Sequence, residues 1–123
     1  MARGSNSILV VEDDQDVRDA LATVLETEGY TVVTAAHGEE ALGRLRAASA
    51  PSVILLDLYM PVMNGWAFRA EQLRDPKLAE IPVIVVSADS MVARRAADLG
   101  AAGYVGKPID FDRLLALVAT HCS

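Results

Sequence analysis

The chain is poor in the features that mark secreted, membrane and nucleic-acid-binding proteins. It has a single cysteine, Cys122, so no intrachain disulfide can form and a cysteine-based zinc cluster is excluded; the residue reads as a passive thiol. No apolar run approaches the roughly 20 residues needed to span a bilayer, and the opening stretch Met1 to Ser7 lacks the apolar core of a signal peptide. Basic residues are outnumbered, with 11 Lys and Arg against 17 Asp and Glu and a net charge of −6. That balance disfavours direct binding to nucleic acid or to anionic membranes. Repeats, low-complexity tracts and a glycine-rich Lys-Ser/Thr loop are all missing, which argues against a repeat protein or an NTPase. These absences set the expectation of a cytoplasmic protein with no direct nucleic-acid or membrane contact.

What is present suits one ordinary folded domain. The 123 residues are 52% apolar and 23% charged, enough for a real core and too short for two domains. Four nearly continuous apolar runs recur, at Ile8 to Val11, Val32 to Ala36, Val53 to Leu56 and Val83 to Val86, with a shorter one around Tyr104 and Val105. Runs that do not alternate with polar residues read as parallel strands covered on both faces.

Helical patterns lie between them. Val17, Leu21, Val24 and Leu25 form one stripe, closed by Gly29 at the position after the cap. Glu39 to Ala48 carries Leu42 and Leu45, Trp66 to Arg74 carries Ala70 and Leu73 on the Trp66 face, and Met91 to Leu99 ends at Gly100. Asp110 is placed to cap a last helix with the stripe Phe111, Leu114, Leu115 and Val118. Five strand and helix pairs in alternation predict an α/β, doubly wound parallel sheet. Residues 1 to 7 read as a disordered leader and 8 to 122 as the domain. The chain stops with the fifth helix.

In open parallel sheets, ligands bind beyond the carboxyl ends of the strands. The residues there are Glu12, Asp13 and Asp14 after the first run, Asp57 after the third, Ser87 after the fourth and Lys107 after the fifth. Hard oxygen donors without His or Cys favour Mg²⁺, with Mn²⁺ as the alternative. Asp13 is the expected direct ligand and Glu12 acts through water, whereas Asp14, Asp16 and Asp19 read as solvated charge at a helix start. Asp57 ends a run of four apolar residues, where an unpaired carboxylate is costly. Such a carboxylate can serve as a nucleophile and form an aspartyl phosphate. Lys107 can neutralise it, and Ser87 can donate to a phosphoryl oxygen. His37 and His121 lie away from the predicted pocket and read as surface residues.

At this point the sequence resembles a family, the receiver domains of two-component response regulators, including chemotaxis receivers. The matching stretches are Ile-Leu-Val-Val-Glu-Asp-Asp (8 to 14), Leu-Leu-Asp-Leu-Tyr-Met-Pro-Val-Met-Asn-Gly (55 to 65), Val-Ile-Val-Val-Ser-Ala (83 to 88) and Gly-Tyr-Val-Gly-Lys-Pro (103 to 108). The resemblance implies a flavodoxin-like fold with five helices and a five-stranded sheet of order 2-1-3-4-5. It implies Asp57 as phosphoacceptor, Mg²⁺ held by Glu12, Asp13, Asp57 and the Tyr59 carbonyl, and catalytic support from Lys107 and Ser87 next to a cis Lys107 to Pro108 bond. The donor would be a histidine kinase or a histidine phosphotransfer protein docking near Val17 and Ala20.

The resemblance further implies self-catalysed phosphotransfer and autodephosphorylation rather than turnover of an external substrate. Ser87 and Tyr104 would form the switch. A downstream protein would read the face of the fourth helix, fifth strand and fifth helix, around Arg94 and Arg95, with the domain a monomer or a phosphorylation-dependent dimer. Tyr59 and Asp89 flank the site and are expected to tune the phosphoryl lifetime, Tyr59 by shielding and Asp89 through its charge. The remaining alternatives are a receiver belonging to a larger DNA-binding regulator or hybrid kinase, an aspartate-nucleophile phosphatase, and a flavin carrier. The phosphatase would want a second acid where Tyr59 stands. The flavin carrier would want a hydroxyl- and glycine-rich loop where three acids stand.

Overall fold

A computed structural model describes residues 6–122. Five strands and five helices alternate: β1 (Ser7–Val11), α1 (Gln15–Thr27), β2 (Thr31–Ala35), α2 (Gly38–Ala47), β3 (Val53–Leu56), α3 (Gly65–Arg74), β4 (Val83–Ser87), α4 (Val92–Asp98), β5 (Gly103–Gly106) and α5 (Phe111–Ala119). The strands form one parallel sheet in the order β2-β1-β3-β4-β5, as the resemblance implies. Strand β1 opens at Ser7, so that residue belongs to the sheet rather than to a leader. Residues 1–5 lie outside the described residues.

Strand pleating explains how uninterrupted apolar runs build two cores, because successive side chains point to opposite faces. Leu9, Val11, Ile54, Leu56, Val83 and Val85 face one side with Leu42 and Leu45 of α2, Phe68 of α3 and Ala96 of α4. Ile8, Val10, Val53, Leu55, Ile84, Val86 and Val105 face the other with Leu21 and Leu25 of α1 and Leu114 and Val118 of α5. The result is a three-layer α/β sandwich.

Local chemistry fixes where the helices begin and end. Asp14, Asn64 and Asp110 cap α1, α3 and α5 by accepting from the amides of Val17, Ala67 and Arg113. His37 caps α2 through Nδ1, which accepts from Glu40 N, while Glu40 accepts in return from Ala36 N. The end of α1 closes with paired bonds from Gly29 N to Glu26 O and Tyr30 N to Leu25 O, made accessible by the φ of 97° at Gly29.

Two expectations need correction. Strand β2 is not covered on both faces: at the sheet edge where the strand order puts it, Thr31 and Val33 are exposed. The stripe expected for α3 is also rotated. Leu73 is 50% exposed, and the buried side chains are Phe68, Arg69 and Gln72. The polar pair is tolerated because it is fully engaged. Arg69 donates to Leu99 O, Gly100 O and Gln72 Oε1, and Gln72 Nε2 donates to Leu78 O and Ile81 O.

Candidate functional site

The sheet delivers the predicted residues to one end. Glu12 follows β1, Asp57 follows β3, Ser87 closes β4 and Lys107 follows β5. Glu12, Asp13 and Asp57 each place a carboxylate oxygen within 4.8 Å of the others. Glu12 and Asp57 are buried at 1% and 5% exposure, while Asp13 is exposed to solvent.

Asp57 Oδ1 accepts from Leu58 N at 2.8 Å. Its Oδ2 lies 3.6 Å from Lys107 Nζ, which is closer to Glu12 Oε1 at 2.7 Å. Lys107 therefore leans on the neighbouring acid more than on Asp57. Burial, reinforced by the Glu12 charge, raises the Asp57 carboxyl to about 7, against the opposing pull of Lys107. The Lys107 ammonium, despite desolvation that disfavours its charge, is held above its usual range by bonding to Glu12 and by the charge of Asp57. Three carboxylates converge here and the lysine is bonded to only one of them closely, so this cluster of hard oxygen atoms is short of positive charge. That is the donor set and charge deficit a divalent cation would satisfy.

The loops around the acids are tightly set. Arg18 of α1 donates through Nη1 to Glu12 O at 2.8 Å and Asp13 O at 3.4 Å, pinning the turn that carries both acids. After β3, Val62 has a φ of 66°, and Met63 N donates to Pro61 O across it. A β-branched residue rarely occupies that region. The turn lets Met63 O accept from Gly38 N, tying the loop to the start of α2. Gly65 sits where a Cβ would lie 2.6 Å from Asp57 O, so the loop closes against the backbone of Asp57 itself.

Of the residues expected to modulate the site, Ser87 and Tyr59 are linked through Asp89. Ser87 is fully buried, and its Oγ accepts from Asp89 N at 3.2 Å. Tyr59, 54% exposed, donates its hydroxyl to Asp89 Oδ2 at 2.5 Å and meets Trp66 edge-on with ring centroids 5.3 Å apart. Tyr104 is half-buried beneath Arg113, which donates to its carbonyl and places its guanidinium 4.9 Å from the ring centroid. The peptide bond from Lys107 to Pro108 is cis. His37 and His121 stand outside this cluster. Cys122 packs against the core, and burial raises its thiol.

The family model for the response regulator receiver domain matches residues 8–119. The chain belongs to this family. It is 40% identical over 111 residues to the response regulator MprA of Mycolicibacterium vanbaalenii, covering 89% of this chain and 47% of that protein. It is 37% identical over 117 residues to an uncharacterized 14.6 kDa protein of Leptolyngbya boryana, covering 94% and 88% respectively. The receiver chain thus spans less than half the length of the MprA and ycf27 relatives, between 39% and 47% of each.

Among solved structures, a response regulator receiver protein from Pseudomonas putida superposes with a TM-score of 0.88 at 30% identity, covering 98% of this chain and 99% of that one. The response regulator TrrA of Thermotoga maritima, solved in complex with Mg²⁺-BeF, gives 0.81 at 32% identity over 93% and 96%. The receiver is a signalling domain with a carboxylate cluster able to hold a metal ion, and among its described residues no helix is long and apolar enough to cross a membrane.

Periodicity could not have found Arg18, Arg95, Trp66 or Arg113 as neighbours of the site. Each sits in the first turn of a helix and reaches back over the loop that precedes it, a contact set by loop shape rather than by hydrophobic spacing.

Proposed function

We propose that this receiver accepts a phosphoryl group on Asp57 from a phosphohistidine of a histidine kinase or phosphotransfer protein. The observation that carries the reading is the buried Asp57 carboxylate at the end of β3, within reach of Lys107 and two further acids. An Asp57 oxygen attacks phosphorus, the bond from phosphorus to the donor nitrogen breaks, and the aspartyl phosphate forms. Lys107 shifts from Glu12 toward the new phosphoryl oxygens, and Ser87 Oγ turns from Asp89 N to donate to one of them. Glu12, Asp13, the Asp57 carboxylate and the Tyr59 carbonyl would hold Mg²⁺, or Mn²⁺ in its place, which supplies charge neutralisation for the transferring group.

Water later attacks phosphorus, the bond to Asp57 breaks and inorganic phosphate leaves, with Tyr59 shielding the group and Asp89 setting the charge beside it. The domain is in this sense a self-limiting acceptor, not an enzyme acting on an external substrate. An apolar cleft of about 290 Å³ between α1 and the segment after β5, lined by Val17, Ala20, Pro108, Ile109 and Phe111, suits donor docking. Tyr104 carries the change to α4, β5 and α5, which face a downstream protein in the cytoplasm.

Incubation with Mg²⁺ and acetyl phosphate, followed by intact-mass measurement, tests this. Gain of one phosphoryl group that is lost in Asp57→Asn and in EDTA is the expected result. Equal labelling of Asp57→Asn would move the acceptor elsewhere.

A further inference from the structure

The contact between Tyr59 and Asp89 continues into α4. Asp89 Oδ2, which accepts the Tyr59 hydroxyl, is also 3.2 Å from Arg95 Nε. Asp89 Oδ1 accepts from Met91 N at 2.8 Å. One carboxylate, its side chain 10% exposed, is thereby shared by the loop after β3, the start of α4 and the body of α4. The position of Tyr59 depends on it. The ring is otherwise exposed, and its other recorded contact is the edge-on meeting with Trp66.

We infer that Arg95 is a positioning residue for the phosphoryl site, acting through Asp89 to hold Tyr59 across its mouth and so to lengthen the life of the aspartyl phosphate. The inference rests on the reading of Asp57 as phosphoacceptor. Its physical basis is charge. An aspartyl phosphate brings further negative charge to a rim that already carries Asp89, and an uncompensated Asp89 would be driven away from it, taking the Tyr59 bond with it. Arg95 supplies the compensating cation at hydrogen-bond distance through its Nε, a directed donor on a planar group that is always charged. The same pair steadies a helix start that has no side-chain cap on Met91, so the rim and the first turn of α4 move as one unit.

Arg95→Met, Arg95→Lys and Asp89→Asn, with the double variant of Asp89→Asn and Arg95→Met, provide the test. Each is labelled with acetyl phosphate and Mg²⁺, freed of donor and followed by intact mass. In parallel, the emission of Trp66, the chain's single tryptophan, is recorded without phosphate as a report on the Tyr59 ring. Arg95→Met is expected to shorten the phosphoryl lifetime about three- to tenfold, the range of one ordinary hydrogen bond. It is also expected to change Trp66 emission. Arg95→Lys recovers part of both effects, and in the Asp89→Asn background Arg95→Met adds nothing.

A wild-type lifetime in Arg95→Met overturns the inference, and so does a full effect that persists without the Asp89 carboxylate. If wild type takes up no phosphoryl group, the reading of Asp57 fails and the lifetime role falls with it. A Trp66 change in Arg95→Met would then show the bridge standing in a domain that carries no phosphate.

Discussion

Lys107 Nζ lies 2.7 Å from Glu12 Oε1 and 3.6 Å from Asp57 Oδ2, so the cation of the site rests on Glu12 more than on the proposed phosphoacceptor. Glu12 thus acts on Asp57 twice, by its own charge and by drawing Lys107 aside. Glu12→Gln should remove both effects, and in the metal-free protein Asp57 should titrate below its wild-type value of about 7. Carboxyl ¹³C chemical shifts followed across pH measure this directly. An unchanged midpoint would mean that burial alone sets it.

The raised carboxyl also makes stability depend on pH. Asp57 binds its proton more tightly folded than unfolded, so its contribution is fully present below the unfolded value near 4 and is lost as pH rises through about 7. Metal-free protein should accordingly lose thermal stability between about pH 4 and 7, while the affinity for Mg²⁺ climbs over the upper part of that window as the proton leaves. Asp57→Asn should flatten the loss and, at pH 8 in EDTA, stabilise the fold by an amount on the order of 1–3 kcal/mol, or roughly 4–15 °C in Tm. Melting curves in EDTA and in Mg²⁺ would show it, and an equal pH slope in wild type and variant would assign the effect to other groups.

Two glycines should respond in opposite directions to the same added methyl group. At Gly65 the Cβ would lie 2.6 Å from Asp57 O and 2.8 Å from Leu58 Cα, both backbone atoms. Gly65→Ala should cost about 1–3 kcal/mol through forced displacement and should slow labelling of Asp57. At Gly43, inside α2, nothing lies within 4 Å, so Gly43→Ala should stabilise by about 0.5–1 kcal/mol through helix propensity. Urea unfolding of both variants, with acetyl phosphate labelling of Gly65→Ala, checks the pair.

The order of elements, the parallel sheet and the convergence of Glu12, Asp13, Asp57, Ser87 and Lys107 were legible in the sequence because each rests on a short-range signal. A strand buried on both faces is an apolar run, and the ligand end of such a sheet is whatever follows the run. The edge position of β2 follows from the strand order that the resemblance implies, but the exposure of Val33 was not legible, since Val32 and Val33 read like any buried pair. Nor was the core face of α3. Hydrophobic spacing selects Trp66, Ala70 and Leu73, whereas the fold buries Arg69 and Gln72, whose value lies in carbonyl partners that come from distant turns. Lys107 was placed correctly, but its preference for Glu12 over Asp57 is a matter of an ångström that spacing cannot carry.

Arg69 is where that missed face becomes measurable. It is 8% exposed, and burial lowers its tendency to hold the charge. Its recorded partners are two carbonyls at the end of α4, Leu99 O and Gly100 O, and the amide oxygen of Gln72, with no carboxylate among them. A guanidinium is suited to this place because the open carbonyls at a helix end carry partial negative charge and point toward its planar donors. Arg69→Met keeps much of the apolar stem and removes every donor, leaving those carbonyls short of partners beneath α3. The expected cost is about 2–4 kcal/mol, larger than for an exposed arginine, because buried acceptors lose partners that water cannot readily replace. Urea unfolding should show a lowered midpoint with an unchanged slope. Amide hydrogen exchange should locate the loss in the last turn of α4 and the segment leading to β5, whereas uniform loosening across the domain would show that Arg69 contributes by packing alone.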